Sequence, residues 1–198
     1  MTARRSQPDR VQSWWGIAFI VILFVQGVMV SLPTRAASGQ TIHNFYAAHS
    51  QLIVLQQLLG VLALIPFVLF ALALGGPSRR PLMVAVGWLV AAELLTNVIP
   101  LVIVVTNPSA DAAHGWTVAE DLADAVLFIA IAIFAVAATS GEASWVRILG
   151  WLVAAIVLAR AALSLLGIAA LDAIAPLAFV ALVLVVSIRL LLGAAPAK

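Results

Sequence analysis

Gly87-Trp88-Leu89-Val90-Ala91-Ala92-Glu93-Leu94-Leu95-Thr96-Asn97-Val98-Ile99-Pro100 reads as an apolar helix with a carboxylate near its middle. An amide, Asn97, stands one turn beyond that carboxylate. Glu93 and Asn97 are four residues apart and share a face. The flanks of this stretch are apolar in both directions, from about Leu82 to Val105. That is the length a helix needs to cross a bilayer core, roughly 20 residues. The fold therefore turns on why a membrane-spanning helix tolerates Glu93.

The rest of the chain has the same character. Of its 198 residues, 65% are hydrophobic and 9% are charged, and the mean hydropathy is +1.19. Soluble domains run near half apolar and a quarter charged. The pattern predicts an all-α, polytopic membrane protein, a single six-helix bundle with no separate soluble module. Spans are expected at about 14–32, 49–74, 82–105, 117–138, 145–168 and 171–192, flanked by an N-terminal segment 1–13 and a tail 193–198. The runs are continuous and apolar, without the alternation of a β-barrel. The first run is too long for a signal-peptide core, and Pro33-Thr34-Arg35-Ala36-Ala37-Ser38 is a poor cleavage region. There is no cysteine, which excludes disulfides, thiolate metal sites and cysteine nucleophiles.

Basic residues distribute one-sidedly over this topology. Arg4, Arg5, Arg10, Arg79, Arg80, Arg147, Arg189 and Lys198 fall on one side, and Arg35 stands alone on the other. The positive-inside rule then places both termini in the cytoplasm, and the plasma membrane is the expected location. The net charge of +2 reflects loop ends at a membrane, not a nucleic-acid surface. The expected partners are the lipid bilayer and a small-molecule or lipid ligand, with no nucleic acid.

Helix rise, about 1.5 Å per residue, places the polar side chains by depth. Glu93 lies about 16 Å from the cytoplasmic end of the third span. Arg160 lies about 22 Å up the fifth, and Asp124 about 10 Å below the outer end of the fourth, at a matching level. Gln56 and Gln57 sit at a similar depth in the second span, and Gln26 near the middle of the first. His49 lies two turns above Gln56 and is expected on the same face. The polar groups thus gather between the midplane and the outer surface. Lipid offers them no partners, so they should point into the bundle.

Two readings of these groups stand side by side. Asp124 and Arg160 form either a structural ion pair or the charged wall of a cavity. Glu93 either makes a helix–helix hydrogen bond to Gln26, Gln57 or a backbone carbonyl, or is a proton-titrating or ligand-binding carboxylate. Glu120, Asp121 and Asp172 are expected in solvent at the outer interface. His43, His49 and His114 share that side, but the six-residue spacing of the first two does not bring ligands together on a helix. No metal or other cofactor is expected, and no nucleophile elbow or phosphate loop is present.

One internal echo is visible. Gly87-Trp88-Leu89-Val90-Ala91-Ala92 recurs as Gly150-Trp151-Leu152-Val153-Ala154-Ala155. It is either a repeat of two helical hairpins or a coincidence of a small alphabet. Gly87/Ala91 and Gly150/Ala154 are small-xxx-small pairs, which let helix backbones approach closely.

Several stretches resemble a family of uncharacterised bacterial six-helix integral membrane proteins, a domain of unknown function. They are Leu58-Leu59-Gly60-Val61-Leu62-Ala63-Leu64 behind a polar outer loop, the intramembrane Glu93, and the run from Asp124-Ala125-Val126-Leu127-Phe128 to Trp145-Val146-Arg147-Ile148-Leu149-Gly150-Trp151. Ser144-Trp145 stands where that family has a proline–tryptophan pair. The resemblance implies the six-helix architecture and no activity. The residues themselves support a non-enzymatic multi-pass protein whose outward-facing polar cluster binds or passes a small molecule, lipid or proton. The alternative is a structural or interaction subunit whose buried polar groups only fix packing. A third reading, an intramembrane enzyme, would use Glu93 and His49 as acid and base.

Overall fold

The computed structural model describes residues 10–75, 79–168 and 170–193, with the backbone alone at 10–13. The expected N-terminal segment with Arg4 and Arg5, the Gly76-Pro77-Ser78 turn and the end of the tail with Lys198 lie outside the described residues. Six α-helices and no strands are found among them: α1 (Arg10–Gly27), α2 (Gly39–Ala73), α3 (Arg80–Thr106), α4 (Ala110–Thr139), α5 (Ser144–Leu165) and α6 (Ile174–Leu191). The five helices α2 to α6 are long and apolar enough to cross a membrane. The first contributes the shorter apolar stretch Trp14–Gly27. The fold is that of an all-α integral membrane protein.

Consecutive helices pack side by side, α6 returns to α1, and α2 packs across the middle against α4. The end where α1 begins and α6 finishes is called proximal here, and the opposite end distal. In the proximal half, Phe19, Phe67, Phe134 and Phe179 from α1, α2, α4 and α6 meet with ring centroids 5.0–6.5 Å apart. Offset and edge-on rings of this kind pack well without water. A second, smaller apolar cluster sits distally and includes Ile42, Tyr46, Ile53, Ile99 and Ile103.

Several boundaries differ from expectation, each for a local reason. The first helix stops at Gly27, five residues short of the expected Leu32. Gln56 Nε2 takes the carbonyls of Gln26 and Val30, at 3.0 and 2.8 Å. Gln26 O, which also accepts from Met29 N at 3.2 Å, belongs to the helix end, and Val30 lies just beyond it. Residues 28–38 then run in irregular backbone, with Val30, Leu32 and Ala37 packed on the distal apolar cluster. Irregular backbone at membrane depth needs such cover.

Conversely, α2 and α4 begin earlier than expected, at Gly39 and Ala110. Ser38 and Ser109 cap them by accepting from the backbone N–H of Thr41 and Ala112. Asp111 sits in the first turn of α4, where the helix dipole favours an acid. The polarity of both starts hid them within expected loops. Helix α2 is 35 residues long, about 52 Å, well beyond the bilayer core. It kinks at His49, whose φ and ψ are −115° and 16°. Helix α3 closes on Asn107 in the left-handed region, φ 41°, a conformation asparagine tolerates better than most residues.

Candidate functional site

The distal half holds two polar layers, and α4 joins them. The upper layer is built around the end of α5. Gly167, at φ +75°, closes that helix with the bonds Gly167 N to Ser164 O and Ile168 N to Leu163 O, both 2.9 Å. This is a Schellman closure, which only a residue without Cβ adopts freely. Arg35, from the irregular 28–38 segment, donates Nη2 to Ser164 O at 2.6 Å and Leu165 O at 3.1 Å. A cation at the negative end of a helix is favourably placed. Its Nε also lies 3.5 Å from Asp121 Oδ2 of α4.

Arg160 does not pair with Asp124 as expected. Its Nε lies 2.6 Å from Asp172 Oδ1, and its guanidinium sits 5.1 Å above the Phe128 ring. The reason is the shorter ends of α5 and α6. Helix α6 starts at Ile174 rather than Leu171, so Asp172 belongs to the connecting turn and folds down to Arg160. Asp124 interacts with Arg160 only at longer range, and likewise with Asp121 and Asp172. Asp121 and Asp172 are therefore not simply solvated groups, and neither is Glu120, which accepts a 3.2 Å hydrogen bond from the buried Tyr46 hydroxyl.

A cleft of about 400 Å³ opens in this layer. Thr34, Arg35, Asp121, Arg160, Ser164 and Asp172 line it. The Arg160 side chain is 12% exposed, and its Nη1 is buried with no hydrogen-bond partner.

The lower layer surrounds Gly60 on α2. Asn97 Nδ2 donates to Glu93 O at 2.7 Å and to Glu93 Oε1 at 3.0 Å. A Cβ on Gly60 would collide with Asn97 Oδ1 and Gln26 Nε2. Glycine is required there because two amides press on the backbone. Glu93 and Asp124 are electrostatic neighbours, as are Asp124 and Glu120. Asp124 thus stands between the cleft and the deeper amides.

The expected site residues divide accordingly. Glu93, Asn97 and Gln56 come together with Gln26. Gln57 is buried in the same helix but makes no hydrogen bond. Arg160 belongs to the cleft, and Asp124 links the layers. His49 does not share the face of Gln56. It is exposed, stacks on Phe45 at 4.4 Å and bonds Phe45 O through Nδ1 at 3.0 Å. The kink at His49 turns the register, so two turns of regular helix no longer relate the two residues. His43 Nδ1 binds Pro108 O at 2.9 Å. Among the described residues no three His, Asp or Glu side chains are arranged to hold a metal ion.

Arg35, Asp121 and Asp172 are charged residues of the cleft that sequence reasoning passed over as site members. Arg35 had a signal, as the one arginine on its side of the topology. Asp172 had none, because its role depends on where two helices end.

Comparison of the chain with family models, with curated proteins and with solved structures gave no match.

Proposed function

We propose that this is a non-enzymatic plasma-membrane protein that binds a small polar molecule or lipid headgroup in its distal cleft. The reading rests on one observation: an open cleft lined by two arginines and two aspartates, with a buried guanidinium nitrogen of Arg160 that has no hydrogen-bond partner among the described residues. Buried guanidinium N–H groups need acceptors. Alternating charge suits a ligand carrying both signs, such as an amino acid or a phosphoethanolamine headgroup. In this reading all six helices span the membrane, both termini are cytoplasmic, and the distal cleft faces outward. The arginine distribution supports that orientation, since Arg79, Arg147 and Arg189 share the proximal end. The resemblance to bacterial six-helix membrane proteins agrees with the architecture.

Two measurements test it. The protein lacks cysteine, so single Gln40→Cys and Ser144→Cys variants report sidedness directly. An impermeant maleimide should label position 40 in intact cells and leave position 144 unlabelled; the reverse pattern would invert the topology. For binding, the nanodisc-embedded protein should gain thermal stability saturably with a zwitterionic amino acid or glycerophosphoethanolamine. Arg160→Gln should abolish that gain. A panel of such ligands without effect would favour the structural-subunit reading, in which the ion pairs only fix packing.

A further inference from the structure

We propose that the amides around Gly60 form a binding site for a dehydrated monovalent cation, with Na⁺ as the first candidate. Its ligands would be Asn97 Oδ1, Gln56 Oε1 and the Glu93 carboxylate, joined by Gln26 Oε1 when that amide turns.

The argument is an accounting of donors and acceptors. Asn97 is 1% exposed and Gln56 7% exposed. Asn97 Nδ2 is engaged by two oxygens of Glu93. Gln56 Nε2 is engaged by two carbonyls of the α1 end. Double donation fixes the orientation of both amides, which coordinates alone leave open to a flip. Their oxygens, Asn97 Oδ1 and Gln56 Oε1, are therefore acceptors, and neither receives a hydrogen bond from the described residues. Gln26 Oε1 is a third such buried acceptor. Gln26 presents Nε2 to Gly60 beside Asn97 Oδ1, and even with that amide serving Asn97, Gln56 Oε1 is left without a donor. Buried acceptors of this kind ordinarily have partners, so the cluster is short of positive character whichever way Gln26 stands.

The surroundings add to that deficit. Glu93 brings a carboxylate, and its charged neighbour Asp124 is acidic too. Helix α1 ends at this level, directing the negative end of its dipole at the cluster. Pro100 has no N–H to offer the carbonyl of Thr96, next to Asn97. Unwound backbone and helix C-terminal ends are suited to coordinating a cation at membrane depth. Gly60 lets the amides of α1 and α3 approach the α2 backbone. One carboxylate with neutral oxygens balances a single charge, whereas Ca²⁺ sites gather several carboxylates.

These residues are distinct from those lining the distal cleft, so failure of the ligand panel leaves the cation site standing. The test follows unfolding of the full chain by tryptophan fluorescence in NaCl, KCl and choline chloride at equal ionic strength. A saturating alkali cation, at about a hundred times its dissociation constant, should raise the midpoint by roughly 5 °C or more over choline. Three coincident curves would overturn the proposal and leave the amides to water. Glu93→Gln keeps the oxygen that Asn97 bonds and removes the charge. It should raise the half-saturating cation concentration at least tenfold, and Asn97→Ala should abolish the effect. If Asn97→Ala does not fold, Glu93→Gln decides alone, and an unchanged cation response in that variant overturns the site. Arg160→Gln should leave the cation response intact.

Discussion

The two ends of the bundle use arginine differently. At the proximal end Arg79 reaches Leu74 O, Ala137 O and Ser140 Oγ, at 3.1, 3.1 and 2.7 Å. It ties the ends of α2 and α4 together. Arg189 pairs with Glu142 at 3.3 Å and lies over Trp145. These contacts seal that end above the four packed phenylalanines. At the distal end Arg35 also caps a helix, α5, but it and Arg160 border an open cleft. The same side chain closes one end and furnishes the other. The difference lies in what stands beneath. Below the proximal arginines the core is mostly apolar, with the four phenylalanines and only small hydroxyls such as Thr139 and Ser187, while below the distal ones a polar layer descends through Asp124 to Glu93 and Asn97.

The largest expected effect is on the apolar side of this comparison. Phe67→Ala removes the ring that touches Phe19, Phe134 and Phe179. It should cost about 3 kcal/mol, read by reversible unfolding in detergent, and leave ligand and cation responses at the distal end unchanged. A loss of those responses in folded protein would show that the two halves are not separable.

Next comes the contact between α4 and α5. A Cβ on Gly150 would collide with Thr139 Oγ1 and meet Ala135 O, so Gly150→Val should destabilise by about 2 kcal/mol through overpacking. A smaller effect separates the two aspartates near Arg160. Asp172→Asn keeps the oxygen that meets Arg160 but removes its charge, and should cost about 1 kcal/mol at most, since Asp172 is 43% exposed and the pair is partly solvated. Asp124→Asn should cost less than Asp172→Asn, and the reverse order would restore Asp124 as the true partner. The smallest effect belongs to Gly87→Val, because an added Cβ has nothing within 4 Å and the position faces outward. Its stability should stay within about 0.5 kcal/mol of the parent.

Gly87 and Gly150 also show how far sequence reading reaches. They open identical six-residue runs, yet only the second is a packing site. In the first run Leu89 and Ala92 are buried and Gly87 faces outward. In the second, Gly150, Val153 and Ala154 are buried, and Leu152 is 57% exposed. The buried face is turned between the copies, so the echo in letters is not an echo in packing. Periodicity places a residue on a helix face, but which face meets protein depends on the neighbouring helices. His49 and Gln56 make the same point, since a local kink parts two residues that ideal geometry aligns.

Composition and run length alone determined that this is an α-helical membrane protein. They also put Gln56, Gln57, Glu93, Asn97, Asp124 and Arg160 on the distal side of their spans, because helix rise orders residues along a run that must cross roughly 30 Å of hydrocarbon. Helix rise fixes depth regardless of how the helices pack. The tertiary structure decided the partners. Arg160 meets Asp172 because two helices end early, Gln56 serves the end of α1, and Asn97 rests on Gly60 because α1 and α3 converge on α2. Such pairings depend on helix ends, rotations and close approaches, which are properties of several segments at once and of no segment alone.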